Sequence, residues 1–342
     1  MSQKGRHSRG AIALLGMAVL VSWTGAVDAS VIGLDELALY GGTAVILDKN
    51  IKVTGPIAAG EKGFYAGRDA SLQDVYSAGA VLFGKDTTVD GNVYANGGGG
   101  AGKNFSLTGD FNSGKAVIID SGANILGDVT AKGDIWFGKE SSVAGNTTSK
   151  SLDVDLWEGL AFPEAPDGNP GGDTLWLPKN SEKGIEPGRY GGWSISAGSA
   201  VTLTAGVYDI EDVWIAKESK INLDTTDGDI VLNVFGKFST GTKVAFNWLD
   251  EDHDVLINVI DHDMILGTYN QLDAHVTVYG GSFGALAYGS LGGTFLASES
   301  AWLGKETGVE FRPYAVQVPE PGTLGVLALG GMIVASVTRR RP

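Results

Sequence analysis

Cysteine is absent from this 342-residue chain. That excludes a disulfide framework, a thiolate metal site and a cysteine nucleophile together. Histidine is nearly as scarce: His253, His262 and His275 are the only ones beyond the first thirty residues, so serine–histidine catalysis is poorly supplied. No Gly-x-Ser-x-Gly elbow occurs, and the run Gly97–Gly100 with Gly102 lacks the Lys-Ser/Thr that closes a phosphate loop. Basic residues are outnumbered 25 to 40 by acids. Removing the six basic and two acidic residues of the terminal segments described below leaves 19 against 38. A surface of that sign repels nucleic acid, so no nucleic-acid partner is expected; it favours solubility or bridging by divalent cations. Long apolar runs are missing everywhere except at the two ends.

What the chain has is glycine, 52 residues of it, and a specific arrangement at each terminus. Lys4, Arg6 and Arg9 precede the apolar stretch Ala11–Val21, and Val27-Asp28-Ala29 offers a small-residue cleavage site before Ser30, with Thr24-Gly25-Ala26 as a second candidate. This is the plan of a secretory signal peptide, read by the secretion machinery and signal peptidase. At the other end stand Val318-Pro319-Glu320-Pro321, then an apolar segment from Thr323 to Thr338, then Arg339-Arg340-Arg341. Sixteen residues of helix span roughly 24 Å, only just enough for the hydrocarbon core, and arginines hold their end in the cytoplasm.

The order of motif, apolar helix and arginine cluster resembles the PEP-CTERM sorting signal. The resemblance covers residues 318–342. It implies recognition by an exosortase, a membrane protease-transpeptidase of bacteria that make exopolysaccharide, with Val318–Pro321 and Arg339–Arg341 as the processed motif. The expected location is the inner membrane for the precursor, then the cell surface or extracellular matrix.

Between the ends the sequence repeats. Val53-Thr54-Gly55-Pro56-Ile57, Val89-Asp90-Gly91-Asn92-Val93, Leu107-Thr108-Gly109-Asp110-Phe111 and Ile125-Leu126-Gly127-Asp128-Val129 fall at multiples of 18 residues. Stepping by six from Gly41 gives Leu47, Val53, Ala59, Tyr65, Ser71, Ser77, Phe83, Val89 and onward to Ser149, none charged. Four residues after most of these comes a second apolar position, such as Ile51, Ile57, Val75, Val81, Phe105 or Val117. A period of six does not fit an α-helix. It fits short strands joined by Gly-, Asp- and Asn-rich turns, three strands to a coil, with coils stacked by parallel pairing. The expected fold is therefore all-β: a parallel β-helix with triangular 18-residue coils in the first half, plus the signal helix and the C-terminal transmembrane helix. The hexads resemble hexapeptide-repeat β-helices, and more loosely the triangular bactofilin core; the two resemblances imply opposite hands, which stay open.

The boundaries follow from these patterns. Residues 1–29 are the signal peptide, 30–40 a candidate N-terminal cap, and 41–154 the hexapeptide-like solenoid. The Pro/Gly-rich stretch 155–189 reads as a linker or excursion loop, 190–317 as an irregular solenoid continuation and 318–342 as the sorting signal. One heptapeptide joins the halves: Leu47–Val53, Phe83–Val89 and Phe137–Val143 recur as Ile215–Ile221 and Leu303–Val309.

Asp and Asn recurring at a fixed hexad position are turn formers. Two features fall outside the period. Asp250, Asp252, Asp254, Asp261 and Asp263, with His253 and His262, are the densest group of metal-ligand types, suited to calcium through carboxylate oxygens; otherwise no cofactor is expected. Trp176, Trp193, Trp214 and Trp248 lie off the regular hexads and are candidates for stacking on sugar rings. Flat Thr-x-Thr arrays of the ice-binding kind are nearly absent. The expected function is a structural or adhesive surface protein of an exopolysaccharide or biofilm matrix. The alternative is a polysaccharide lyase or hydrolase on the same scaffold, for which no catalytic constellation is recognisable.

Overall fold

The computed structural model describes residues 32–151, 156–157, 160–248 and 253–313. Within them the chain is an all-β parallel solenoid: three sheets, each of 13 strands, form the three sides of the stack. Almost no helix is present, one 3-10 turn at Leu34–Glu36. Inward side chains form one continuous core, from Val129 and Ile125 through Leu47, Leu303, Val259 and Leu232 to Leu177.

The coils do not stack in chain order. In the first sheet, Leu39–Gly41 pairs on one side with Ile57–Ala59 and on the other with Phe295–Ala297. The second and third sheets repeat this: Ala44–Leu47 pairs with Ser300–Leu303, and Lys52–Val53 with Gly308–Val309. The chain thus begins its first coil at mid-height and climbs to the last strand at Thr147–Thr148. It returns outside the stack, re-enters at the opposite end with Thr174–Leu177, and climbs again until its last coil meets its first. Leu34–Glu36 consequently sits at the waist, and the segment expected to cap an end caps none.

The returning segment lies along the first sheet. Trp157 is buried in one apolar cluster with Tyr40, Ala58 and Leu296, its ring tilted against Tyr76, and its backbone N–H and C=O are both held by the Asn96 amide, at 3.0 and 2.5 Å. Phe162 stacks on Tyr40 and meets Tyr279 edge-on. The stretch 155–189 is not a loop throughout: 174–190 contribute the strands Thr174–Leu177, Glu182–Ile185 and Gly188–Tyr190. In these strands Leu175, Leu177 and Ile185 are buried, while Trp176, Glu182, Lys183 and Arg189 are exposed.

The six-residue frame places Tyr65 and Ser71 inside, but both are exposed, and Phe64, Ala66 and Leu72 are buried instead. An extra residue sits in the corner Gly60–Gly63, and the next third-to-first corner is one residue shorter, so the frame slips and then recovers. Gly63 makes the slip feasible, with φ +97 and no side chain to strike the Ala80 carbonyl. A slip of one exchanges the two faces of a strand.

Candidate functional face

The second sheet carries an uncharged outer row that runs the full length of the stack. From the low end it reads Trp176, Ser194, Trp214, Ser239, Ile265, Gly284, Trp302, Ile46, Tyr65, Leu82, Gly100, Ile118 and Trp136. Each residue pairs directly with the next. Coils about 4.8 Å apart make the row roughly 58 Å long. It is bare: Trp176 is 65% exposed, Trp214 52%, Leu82 51% and Ile118 59%. Large apolar side chains pointing outward in most of the coils cannot serve the core, and an uncovered patch of this extent marks a surface for a ligand or partner.

A second outward column flanks the row and divides it. At the upper coils this column is Ala44, Gly63, Ala80, Gly98 and Ala116, ending at Asp134; at the lower coils it is Thr174, Gly192, Asp212, Lys237, Asp263, Ser282 and Ser300. Asp212 Oδ1 accepts the Lys237 N–H and Asp263 Oδ1 accepts the Ser282 N–H, each at 2.8 Å. The four lowest coils of the row therefore alternate tryptophan with serine, and Asp212, Lys237 and Asp263 flank the coils from Trp214 to Ile265. Trp302 is half-buried because its indole lies flat across Gly284, where a Cβ would collide with the ring. An indole laid on a glycine shows one π face to solvent.

The sequence candidates separate on this frame. Trp176 and Trp214 fall on the row, two coils apart. Trp193 is 4% exposed and packs edge-on between Tyr190 and Tyr208, inside the core. Trp248 is half-buried in the third sheet at the end of Ala245–Trp248. Tyr65, Trp136 and Trp302 complete the row. Their signal was a large residue between two inward positions of a second-sheet strand, masked at Tyr65 by the frame slip.

The acidic group does not form one site in the described residues. Asp254 precedes the first-sheet strand Val255–Ile260 and Asp261 and Asp263 follow it, so opposite corners of the solenoid hold them. Asp261 occupies a left-handed turn at φ 60. Asp250 and Asp252 lie outside the described residues. Among the described residues no three acidic or histidine side chains gather at metal-ligand spacing. Asp254 instead faces the largely buried His275, 3.6 Å from its Nε2, while His275 Nδ1 meets Thr294 Oγ1 at 3.0 Å. Burial holds the imidazole below its usual pKa and, opposed by His275, raises that of Asp254.

Fold and face together define a parallel β-solenoid with one long uncharged row along its second sheet. Residues 317–341 match the PEP-CTERM protein-sorting motif, so the solenoid belongs to an exosortase-sorted surface protein. Val318–Pro321 and Arg339–Arg341 fall within or at the edge of that match and, like Ala29 and Ser30, lie outside the described residues. No helix among the described residues is long and apolar enough to cross a membrane. No curated protein matches the chain. A solved ice binding protein from an Antarctic Flavobacteriaceae bacterium is similar at 12% identity, over 83% of this chain and 99% of that one, with a TM-score of 0.27; a likeness at that level carries no argument.

Proposed function

We propose that this is a non-enzymatic adhesive protein of an exopolysaccharide or biofilm matrix, which lays its second-sheet face along extended polysaccharide chains. The carrying observation is the lower half of the row: Trp176 and Trp214 two coils apart with Ser194 between them, Ser239 on the next coil, and Asp212, Lys237 and Asp263 flanking the row from Trp214 onward. Aromatic faces stack on the C–H faces of sugar rings, and the neighbouring hydroxyls and charges satisfy sugar hydroxyls as those leave water. Two coils, about 10 Å, is close to the length of two rings in an extended β-linked chain. The sorting motif supports the same reading, because the PEP-CTERM resemblance implies delivery to the surface of bacteria that make exopolysaccharide.

The test is equilibrium binding of the processed chain to hydroxyethyl cellulose, alginate and the producer's own exopolysaccharide, with and without calcium. Polymer length is followed in the same samples. Saturable binding with intact polymer is expected, lost in Trp176→Ala/Trp214→Ala. Shortened polymer would replace the proposal with an enzyme, and binding indifferent to both tryptophans would move the site off this face.

A further inference from the structure

The two ends of the described chain meet at one point, and that point is on the far side of the molecule from the second-sheet face. Ala38 enters the first sheet by donating its N–H to the Pro56 carbonyl and accepting from Phe295 N. Phe311 leaves the third sheet beside it, its N–H held by Thr54 Oγ1. Gly55 lies between the two: a Cβ there would come within 2.6 Å of Phe311 Cβ and 2.9 Å of Ala38 Cβ. Both ends thus use the corner between the third and first sheets, at mid-height. In a three-sided coil that corner is opposite the second sheet.

We infer that the membrane-held precursor is tethered by its waist with the second-sheet face turned outward, so that the face binds polymer before exosortase processing rather than only after release. The inference rests on the proposed polysaccharide reading for its ligand, but its geometry stands apart from it. The ~10 residues from Pro313 to Thr323, where the apolar segment of the sorting tail begins, reach at most about 35 Å. A side of six residues measures up to roughly 20 Å. To bring the second sheet against the bilayer, the tether would have to wrap around an entire side and would lose more than half its reach. Attachment at one end of the stack would impose no such restriction, since the solenoid could then roll about its axis. The corner itself is lined by Asp74, Asp90, Asp110 and Asp128. Their charge holds the solenoid off an anionic leaflet without changing which side faces it.

Because the chain has no cysteine, single thiols report without background. Thr108→Cys marks the tethered corner and Leu82→Cys the outward face; both positions are exposed and lie about one and a half coils apart in height. The full chain is inserted into phosphatidylcholine liposomes carrying nitroxide lipids, and a fluorophore on each thiol is compared. At least twofold stronger quenching at Thr108→Cys is expected; equal quenching, or stronger quenching at Leu82→Cys, overturns the inference. In parallel, unlabelled full chain on liposomes and chain ending at residue 317 are compared for binding to hydroxyethyl cellulose and alginate, with affinities expected to agree within threefold. If the released chain binds and the anchored chain does not, the inference fails and the polysaccharide reading survives. If neither binds, that reading fails and with it the claim of early binding, while the quenching still decides the orientation.

Discussion

The Phe311 backbone N–H donates to Thr54 Oγ1 at 3.0 Å across 257 residues of sequence. That bond, with the Thr54 N–H to Val309 carbonyl bond at 3.0 Å, closes the seam between the last coil and the first. Everything above the seam is the early half of the chain and everything below it the late half, so the waist is where two separately wound stacks become one.

Gly55→Ala should therefore loosen the seam. The added methyl has no room between Phe311 and Ala38, and overpacking of this kind costs about 1–3 kcal/mol. Thr54→Val, which removes the hydroxyl that accepts from the Phe311 N–H and donates to the Val309 carbonyl, should cost about 1–2 kcal/mol. Urea denaturation of residues 30–317 measures both. A second, lower-stability transition in Gly55→Ala would show the halves melting apart.

The period, the corner chemistry and the three-sided coil were legible in the sequence because each is local. Asn50, Asp86, Asn104 and Glu140, at one hexad position, all adopt left-handed turns, and Asp74, Asn92, Asp110 and Asp128 each accept the backbone N–H of the residue one coil on. The order of the coils was not legible. Parallel coils of equal width accept any neighbour whose inward residues fit, so nothing in a hexad says which coil lies beneath it. One trace existed. The heptapeptides Leu47–Val53 and Leu303–Val309 resemble each other and prove to be directly stacked, Leu47 on Leu303 and Val53 on Val309. The other copies occupy the same corner at other heights, which is why the likeness alone did not identify neighbours. The outward row is hidden for a related reason: in the upper coils its members Ile46, Tyr65, Leu82, Gly100, Ile118 and Trp136 lie inside the hexad repeat, where an outward residue breaks no pattern.

Tryptophans on and off the row should respond differently. Trp214→Ala should weaken polymer binding severalfold and leave the unfolding midpoint nearly unchanged, since its ring is half exposed. Trp193→Ala empties a core position between Tyr190 and Tyr208 and should cost about 3–5 kcal/mol. Paired binding and thermal-melt measurements separate the two, and a large stability loss in Trp214→Ala would contradict its placement.

Gly284→Ala should lift the Trp302 indole from the sheet, because the methyl takes the space under the ring. Tryptophan emission should shift to the red and the ring become more accessible to acrylamide. Trp302→Phe/Gly284→Ala should show neither change. Unaltered emission in the single variant would mean that the indole does not lie on the glycine.

Acid should weaken the coils below the waist. Burial lowers the His275 pKa in the folded protein, so the unfolded chain takes up the proton first. The folded state loses stability as pH falls below the unfolded value of about 6.5. Asp254 acts in the opposite sense, its raised pKa favouring the folded state only at the lower pH where carboxylates titrate. Between pH 7 and 5.5 the histidine governs. Melting temperature should fall over that interval in the native chain and stay flat in His275→Gln, and a parallel fall in both would assign the acid sensitivity to another group.

The frame slip at Gly60–Gly63 gives the sharpest contrast between neighbouring residues. Phe64 is 2% exposed and tilts against Phe83 in the core, whereas Tyr65 is 48% exposed on the outward row. Phe64→Ala should cost about 3–5 kcal/mol, and Tyr65→Ala within about 0.5 kcal/mol, the range of a surface change. The unslipped six-residue frame predicts the reverse order. Leu72→Asp and Ser71→Asp repeat the contrast one side further on: the first buries a charge without a partner, the second adds one to an exposed position on the third sheet. Chemical denaturation of the four variants decides the register, and because one slip moves every residue of the strand together, a single reversed pair would be enough to reject it.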